Sequence, residues 1–203
     1  MHLRTGLFLA LFTLAGATWP TPQGWRAEAF NLPPRFAPKM RVQGREELRF
    51  PPRCFQPGTP RYFSYAYVWE VRREAKLSGK ALRGALVAYY AGLYAAVGQG
   101  RQLPARKPAA SVEIRAAKTP FVRHPGARAY TAVIRTYDGF SDGRAVRLNA
   151  EIVVLPAAGG RLRLVLIAVS PRPKKGAPWP ELRRVLAAYP TEAAPASRSR
   201  PSQ

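Results

Sequence analysis

Between Arg61 and Arg73, the residues Phe63, Tyr65, Tyr67, Trp69 and Val71 fall on alternate positions, with Tyr62, Ser64, Ala66, Val68 and Glu70 between them. A period of two marks a β-strand whose two faces see different surroundings, and aromatic and β-branched residues suit a pleated surface. The aromatic face reads as one side of a packed core. A ligand pocket or a base-stacking platform is the alternative use of the same ladder. After Ser78, a good N-cap, the period lengthens. Leu82, Leu86, Tyr89, Leu93 and Val97 recur at three- and four-residue spacings, which predicts a helix over Gly79–Val97 about 28 Å long. Gly98 stands where a left-handed residue would end it, and Tyr90 and Tyr94 flank the apolar stripe with polar tips. Gly84 and Gly92 each weaken such a helix by about 1 kcal/mol relative to alanine, which points to close packing at both.

A basic, proline-containing loop, Gly100 to Ala110, leads into a run of alternating segments. Val112, Ile114 and Ala116 form one, and Tyr130, Ala132, Ile134 and Thr136 the next. Asp138–Gly143 reads as a hairpin turn before Val146, Leu148, Ala150, Ile152 and Val154, and Pro156–Gly160 as a second turn. The last strand, Arg161–Ser170, is apolar on both faces: Leu162, Leu164 and Leu166 on one, Val165, Ile167 and Val169 on the other. A sheet wetted on one side would carry polar residues at every second position, so something covers each side here. The long helix can cover one. A short helix over Pro180–Ala188, with Leu182, Val185, Leu186 and Tyr189 and a proline near its start, or a dimer partner, can cover the other.

Upstream, residues 18–60 hold nine of the 21 prolines, a density that forbids long helices and leaves short extended pieces. Phe30-Asn31-Leu32, Met40-Arg41-Val42 and Leu48-Arg49-Phe50 are the candidates. Phe30, Phe36, Met40, Leu48, Phe50 and Phe55 suggest that this segment packs on the body, since a free linker does not need them. The chain therefore divides into a leader (1–17), a proline-rich segment packed on the body (18–60), an α+β domain (61–189) and a disordered tail (190–203) without aromatic residues. No internal repeat is visible. The fold class is α+β: a mainly antiparallel sheet packed by one long and one short helix. In element order alone it resembles sandwiches of the Mog1/PsbP type or, second, the cystatin-like roll. That likeness implies architecture and carries no function.

The leader has Arg4, an uncharged apolar run from Leu7 to Ala15, and small residues in Ala15-Gly16-Ala17, the layout of a cleavable secretory signal with cleavage after Ala17. Pro20 and Pro22 follow too soon for the roughly 20 apolar residues of a membrane span. Leu14-Ala15-Gly16 is followed by Ala17 and not by the cysteine of a lipoprotein, so the expected product is a soluble protein of the periplasm or exterior.

Thirty-three Lys and Arg against 11 Asp and Glu give a net charge of +22. Arg4 accounts for one unit and the tail for one more, leaving +20 on residues 18–189. A field of that size concentrates anions, and it lies outside the range of about 2–8 that suits a small soluble domain. The basic residues are scattered in doublets, and Arg outnumbers Lys 26 to 7. GC-rich codon usage produces the same bias together with abundant Ala, Pro and Gly. If a site exists, its candidates are Arg101, Arg106 and Lys107 in the first loop and Arg172, Lys174 and Lys175 before the last helix. The partners this charge suggests are an anionic envelope component or another protein; export argues against nucleic acid.

Reactive chemistry is sparse. After removal of the leader, one His, one Cys, two Asp and nine scattered Glu remain, without the clustering that a metal or acid–base site needs. A single thiol cannot form an internal disulfide. Cys54 reads as a small buried hydrophobe and His124 as part of an exposed turn. Asp138–Gly143 has Phe140 where a calcium ligand belongs. Gly98-Gln99-Gly100 lacks the context of a dinucleotide fingerprint, and no Gly-x-Ser-x-Gly or Walker motif occurs. No catalytic residue, metal or cofactor is expected. The sequence points to an exported, non-catalytic binding or structural module of the cell envelope. The alternatives are an anion-binding protein and a small-ligand carrier with a cavity between the aromatic strand and the long helix.

Overall fold

The structure, a computed structural model, describes residues 18–118, 120–157 and 162–191. The expected leader (1–17), residue 119, residues 158–161 at the end of the second turn and start of the expected last strand, and the chain from residue 192 lie outside the described residues. In chain order the elements are β1 (Arg26–Leu32), β2 (Gly44–Phe50), β3 (Tyr65–Arg72), α1 (Gly79–Gln99), β4 (Ser111–Ala117), β5 (Arg128–Tyr137), β6 (Ala145–Leu155), β7 (Leu162–Ser170) and α2 (Trp179–Ala187). The strands form one antiparallel sheet in the order β1-β2-β3-β7-β6-β5-β4. The α+β class is therefore as the pattern of periods requires, and the proline-rich segment supplies two strands of the same sheet.

The two apolar faces of β7 have separate covers. Val165, Ile167 and Val169 join Tyr65, Tyr67, Trp69 and Val71 of β3 in the core beneath α1. Leu166 and Ala168 join Ala66 and Val68 in the core beneath α2, together with Trp19, Trp179, Leu182 and Leu186. The aromatic ladder of β3 is core: Tyr67 and Trp69 have no exposed surface. Its polar tips are paired inside. The Tyr65 and Tyr90 hydroxyls lie 3.0 Å apart, and the Trp69 indole donates to Glu46 at 2.9 Å. On the opposite face, Trp19 donates from its indole to the Val185 carbonyl at 2.8 Å. Buried Arg49 donates to the Trp19 carbonyl at 2.6 Å and covers the indole with its guanidinium at 4.2 Å, which ties the start of the described chain to α2.

Several local expectations are corrected. The strand begins at Tyr65, not Arg61, because Phe63 has a φ of 48° and Arg61–Phe63 form a turn. Met40–Val42 is not a strand; Met40 and Val42 are buried in the connection between β1 and β2. Ser78 does cap α1, accepting from the Ala81 N–H. The helix nevertheless runs past Gly98, which is helical. The left-handed residue is Gln102 with φ 55°, and the chain closes through the Leu103 N–H on the Gly98 carbonyl at 2.9 Å. Close packing holds at one of the two predicted glycines. A Cβ on Gly92 would stand 2.0 Å from the Phe36 carbonyl oxygen, whereas nothing lies within 4 Å of one on Gly84.

Candidate functional site

α1 packs against β4 and β5, on one half of its sheet face. On the other half, β1 and β2 turn Arg26, Glu28, Phe30, Leu48 and Phe50 to the same side, and a groove of about 960 Å³ remains between them and the helix. Tyr89, Leu93 and Val97 form the helix wall. The connection after β1 crosses to the helix at Gly92, where Phe36 meets Tyr89 edge-on at 5.2 Å. At the opposite end, Phe55 stacks on Phe140 with ring centroids 3.9 Å apart. Phe30, 39% exposed, stands on the groove floor.

The position of Phe140 is built by its turn. Buried Asp138 accepts from the N–H groups of Phe140 at 2.8 Å and Ser141 at 3.1 Å, from the Ser141 hydroxyl, and from the Tyr62 hydroxyl at 2.6 Å. A carboxylate that accepts local N–H groups is what an Asx-type turn provides. Here it holds a hairpin tip over the end of the groove. Burial, with the bond to Asp138 second, pushes the Tyr62 phenol up.

Arg26, Arg53 and Arg101 surround the groove, and Glu28 is the one carboxylate that lines it. Arg26 pairs with Glu28 at 3.0 Å and lies 5.0 Å over the Phe50 ring. Burial raises the Glu28 pKa, and the Arg26 charge opposes that shift. Among the described residues the side chains of Arg53 and Arg101 have no hydrogen-bond or ion-pair partner. Behind the groove floor, Glu46 sits on β2 between Phe30 and Trp69 in the strand register. It has no exposed surface, and its Oε2 has no partner.

Compared with family profiles, curated proteins and solved structures, the chain matches none of them.

Of the six basic candidates, Arg101 alone lines the groove. Arg106 lies 5.1 Å over the Tyr137 ring, and Lys107 is exposed. Arg172 reaches the Thr59 carbonyl at 3.4 Å, Lys175 is exposed, and partly buried Lys174 has its pKa lowered by desolvation. The strand register places both loops at one end of the sheet, where Ser111 pairs with Arg135 and Ser170 with Asn149. The first loop continues from α1 and the second leads into α2, so they flank opposite faces.

Cys54 is buried against Phe50 and Phe55, and desolvation pushes its thiol up to about 12. His124 opens a turn before β5, its carbonyl accepting from the Ala127 N–H at 3.0 Å. That turn lies at the opposite end of the sheet from Cys54, roughly 25 Å away at about 3.3 Å per residue. The two therefore form no nucleophile–base pair. A thiol-specific chromogenic reagent is expected to leave Cys54 unmodified in the native protein at pH 8 and to titrate one thiol in denaturant; rapid native labelling would contradict its burial. Among the described residues no group of His, Cys, Asp and Glu is placed to hold a metal ion, and no helix is long and apolar enough to cross a membrane.

Sequence reasoning placed the cavity against the aromatic strand, but only Tyr65 of that strand reaches it. Tyr89 stacks on Tyr67 at 5.9 Å and helps fill the space beside Trp69. Phe30, Phe50 and Phe55 were visible as apolar residues in a proline-rich stretch. What that stretch could not reveal is that the helix leaves their strands uncovered.

Proposed function

We propose that this chain is an exported, non-catalytic binding module of the cell envelope, and that the aromatic groove is where it binds an apolar ligand bearing negative charge. The observation that supports this is the open half-face: a groove of about 960 Å³ lined by aromatic rings, on a sheet whose other core surfaces are covered. Ligand sites are commonly concave, mostly apolar and about 300–1,000 Å³ in volume, with few polar groups at fixed positions. Arg53 and Arg101, without acidic partners, supply those groups and favour an anion. The leader supports export, and the separation of Cys54 from His124 supports a role without covalent chemistry.

Binding of a naphthalene sulfonate dye, an aromatic anion, tests the reading. The dye is expected to bind with one-to-one stoichiometry. Leu93→Trp, which fills the groove from the helix wall, is expected to weaken binding at least tenfold without lowering the melting temperature. Lys107→Glu, away from the groove, is expected to change it less than twofold. Loss in Lys107→Glu with binding unchanged in Leu93→Trp would point to bulk charge and to the second reading, docking on envelope phosphates or acidic polymers through the scattered basic surface.

A further inference from the structure

The two ends of the sheet differ. β4 is a guarded edge: α1 packs on it, and Arg83 of α1 donates to the Val112 carbonyl at 2.8 Å. β1 is the other terminal strand and pairs with β2 alone. Among the described residues no side chain donates to its outer edge. Unprotected edges present a row of N–H and C=O groups to any extended chain, and proteins usually blunt them with proline, lysine, bulges or a covering element. β1 reads Arg-Ala-Glu-Ala-Phe-Asn-Leu, without proline or lysine; its two charged residues, Arg26 and Glu28, offset each other as an ion pair at 3.0 Å, and the strand pairs in unbroken register over all seven residues. Phe30 on this strand is one of two large hydrophobic residues left exposed among the described residues.

The same strand forms the groove floor. A chain added to β1 would lie about 4.8 Å from it and turn every second side chain to the groove side, beside Arg26, Glu28 and Phe30. We infer that the occupant of the groove is an extended polypeptide segment that adds to β1 as an eighth strand. Its groove-facing side chains are apolar beside Phe30 and acidic beside Arg26. This deepens the groove reading and rests on it. Strand addition takes its affinity from main-chain hydrogen bonds and its specificity from alternate side chains. The charge of the occupant follows from Arg26, Arg53 and Arg101 set against the single Glu28. It also argues against a second copy of this chain as the natural occupant, because two molecules of net charge +21, Arg4 being lost with the leader, would bring like charges together.

The experiment uses the full mature protein and three acetylated decapeptides with threonine at every second position: one whose other face carries two glutamates followed by three valines, one with lysines in place of those glutamates, and the glutamate–valine peptide with every second backbone nitrogen methylated. Amide exchange across Arg26–Leu32 and displacement of the naphthalene sulfonate dye are measured together. The glutamate–valine peptide is expected to slow exchange in β1 at least tenfold and to displace the dye. Methylation is expected to weaken it at least tenfold, and the lysine peptide to do neither. Reversal of Arg53 and Arg101 to glutamate, both on the exposed rim, is expected to weaken the acidic peptide at least tenfold. If the dye binds and Leu93→Trp abolishes it while no peptide protects β1, strand addition is wrong and the groove reading stands. Equal binding of the methylated peptide reduces the effect to charge and overturns strand addition. Concentration-dependent protection of β1 in the free protein assigns the edge to a second copy and overturns it too. If neither dye nor peptide binds, both readings fall.

Discussion

Gly92→Ala is expected to destabilise the protein by about 3 kcal/mol, and Gly84→Ala to stabilise it by about 0.5–1 kcal/mol. Both glycines lie inside α1, where alanine normally gains through lower backbone entropy and better helix propensity. At Gly84 nothing lies within 4 Å of the new methyl group, so that gain is realised. At Gly92 the methyl carbon would fall 2.0 Å from the Phe36 carbonyl oxygen and 2.8 Å from the carbonyl carbon. These are backbone atoms and cannot rotate away as a side-chain tip does. The helix and the β1–β2 connection must separate, which breaks the contact between Phe36 and Tyr89 and widens one end of the groove. Urea unfolding of the two variants, with unchanged m-values, provides the check. A Gly92→Ala protein as stable as the wild type would mean that the connection does not cross the helix there.

Glu46→Gln is expected to leave stability unchanged near pH 4 and to raise it by about 3 kcal/mol at pH 8. Burial lifts the Glu46 carboxyl from its ordinary value of 4.5 to about 7, with the Trp69 indole N–H and the neighbouring Tyr89 hydroxyl opposing the shift. The sign follows from proton counts. Between these two values the folded protein holds a proton that the unfolded chain has released, so stability falls as pH rises, by about 1.4 kcal/mol per unit. Below the lower value both states are protonated and the contribution is fully present; above the upper one it has been lost. The substituted amide keeps an oxygen for the Trp69 N–H and never ionises, so the loss is removed. The quantity to compare is the difference between wild type and variant across pH, since other groups titrate in both. A pH-independent difference would show that Glu46 does not titrate in this window. In the wild type, a neutral Glu46 also provides an O–H donor at Oε2, the atom that has no partner in the structure.

The periods along the chain determined the fold class because each records which side of an element meets apolar matter. The alternation from Tyr65 to Val71 required a strand with a buried aromatic face. The spacing from Leu82 to Tyr89 required a helix above it, and the two apolar faces of β7 required two covers. These are local properties. Other features belonged to pairs of elements. Phe63 has the alternation of a strand residue but lies in a turn, where it packs edge-on against Phe55 at 5.6 Å. Gly98 looks like a helix terminus but remains helical, and the chain turns after it through the Leu103 N–H on the Gly98 carbonyl. The six basic candidates were chosen by proximity in sequence; the fold separates them into loops on opposite faces and brings only Arg101 to the groove, beside Arg26 and Arg53.

By itself, the sequence determined most of the elements, their buried faces, the demand for a cover on each side and the scarcity of reactive groups, because hydrophobic period and residue type act within one element. Only the tertiary structure decided that α1 lies over β4 and β5, that β1 and β2 are left open beside it, and that Phe30, Phe55, Phe140 and three arginines border one groove. That placement follows from where a helix comes to rest on a sheet wider than itself, which is settled by packing between residues far apart in the chain.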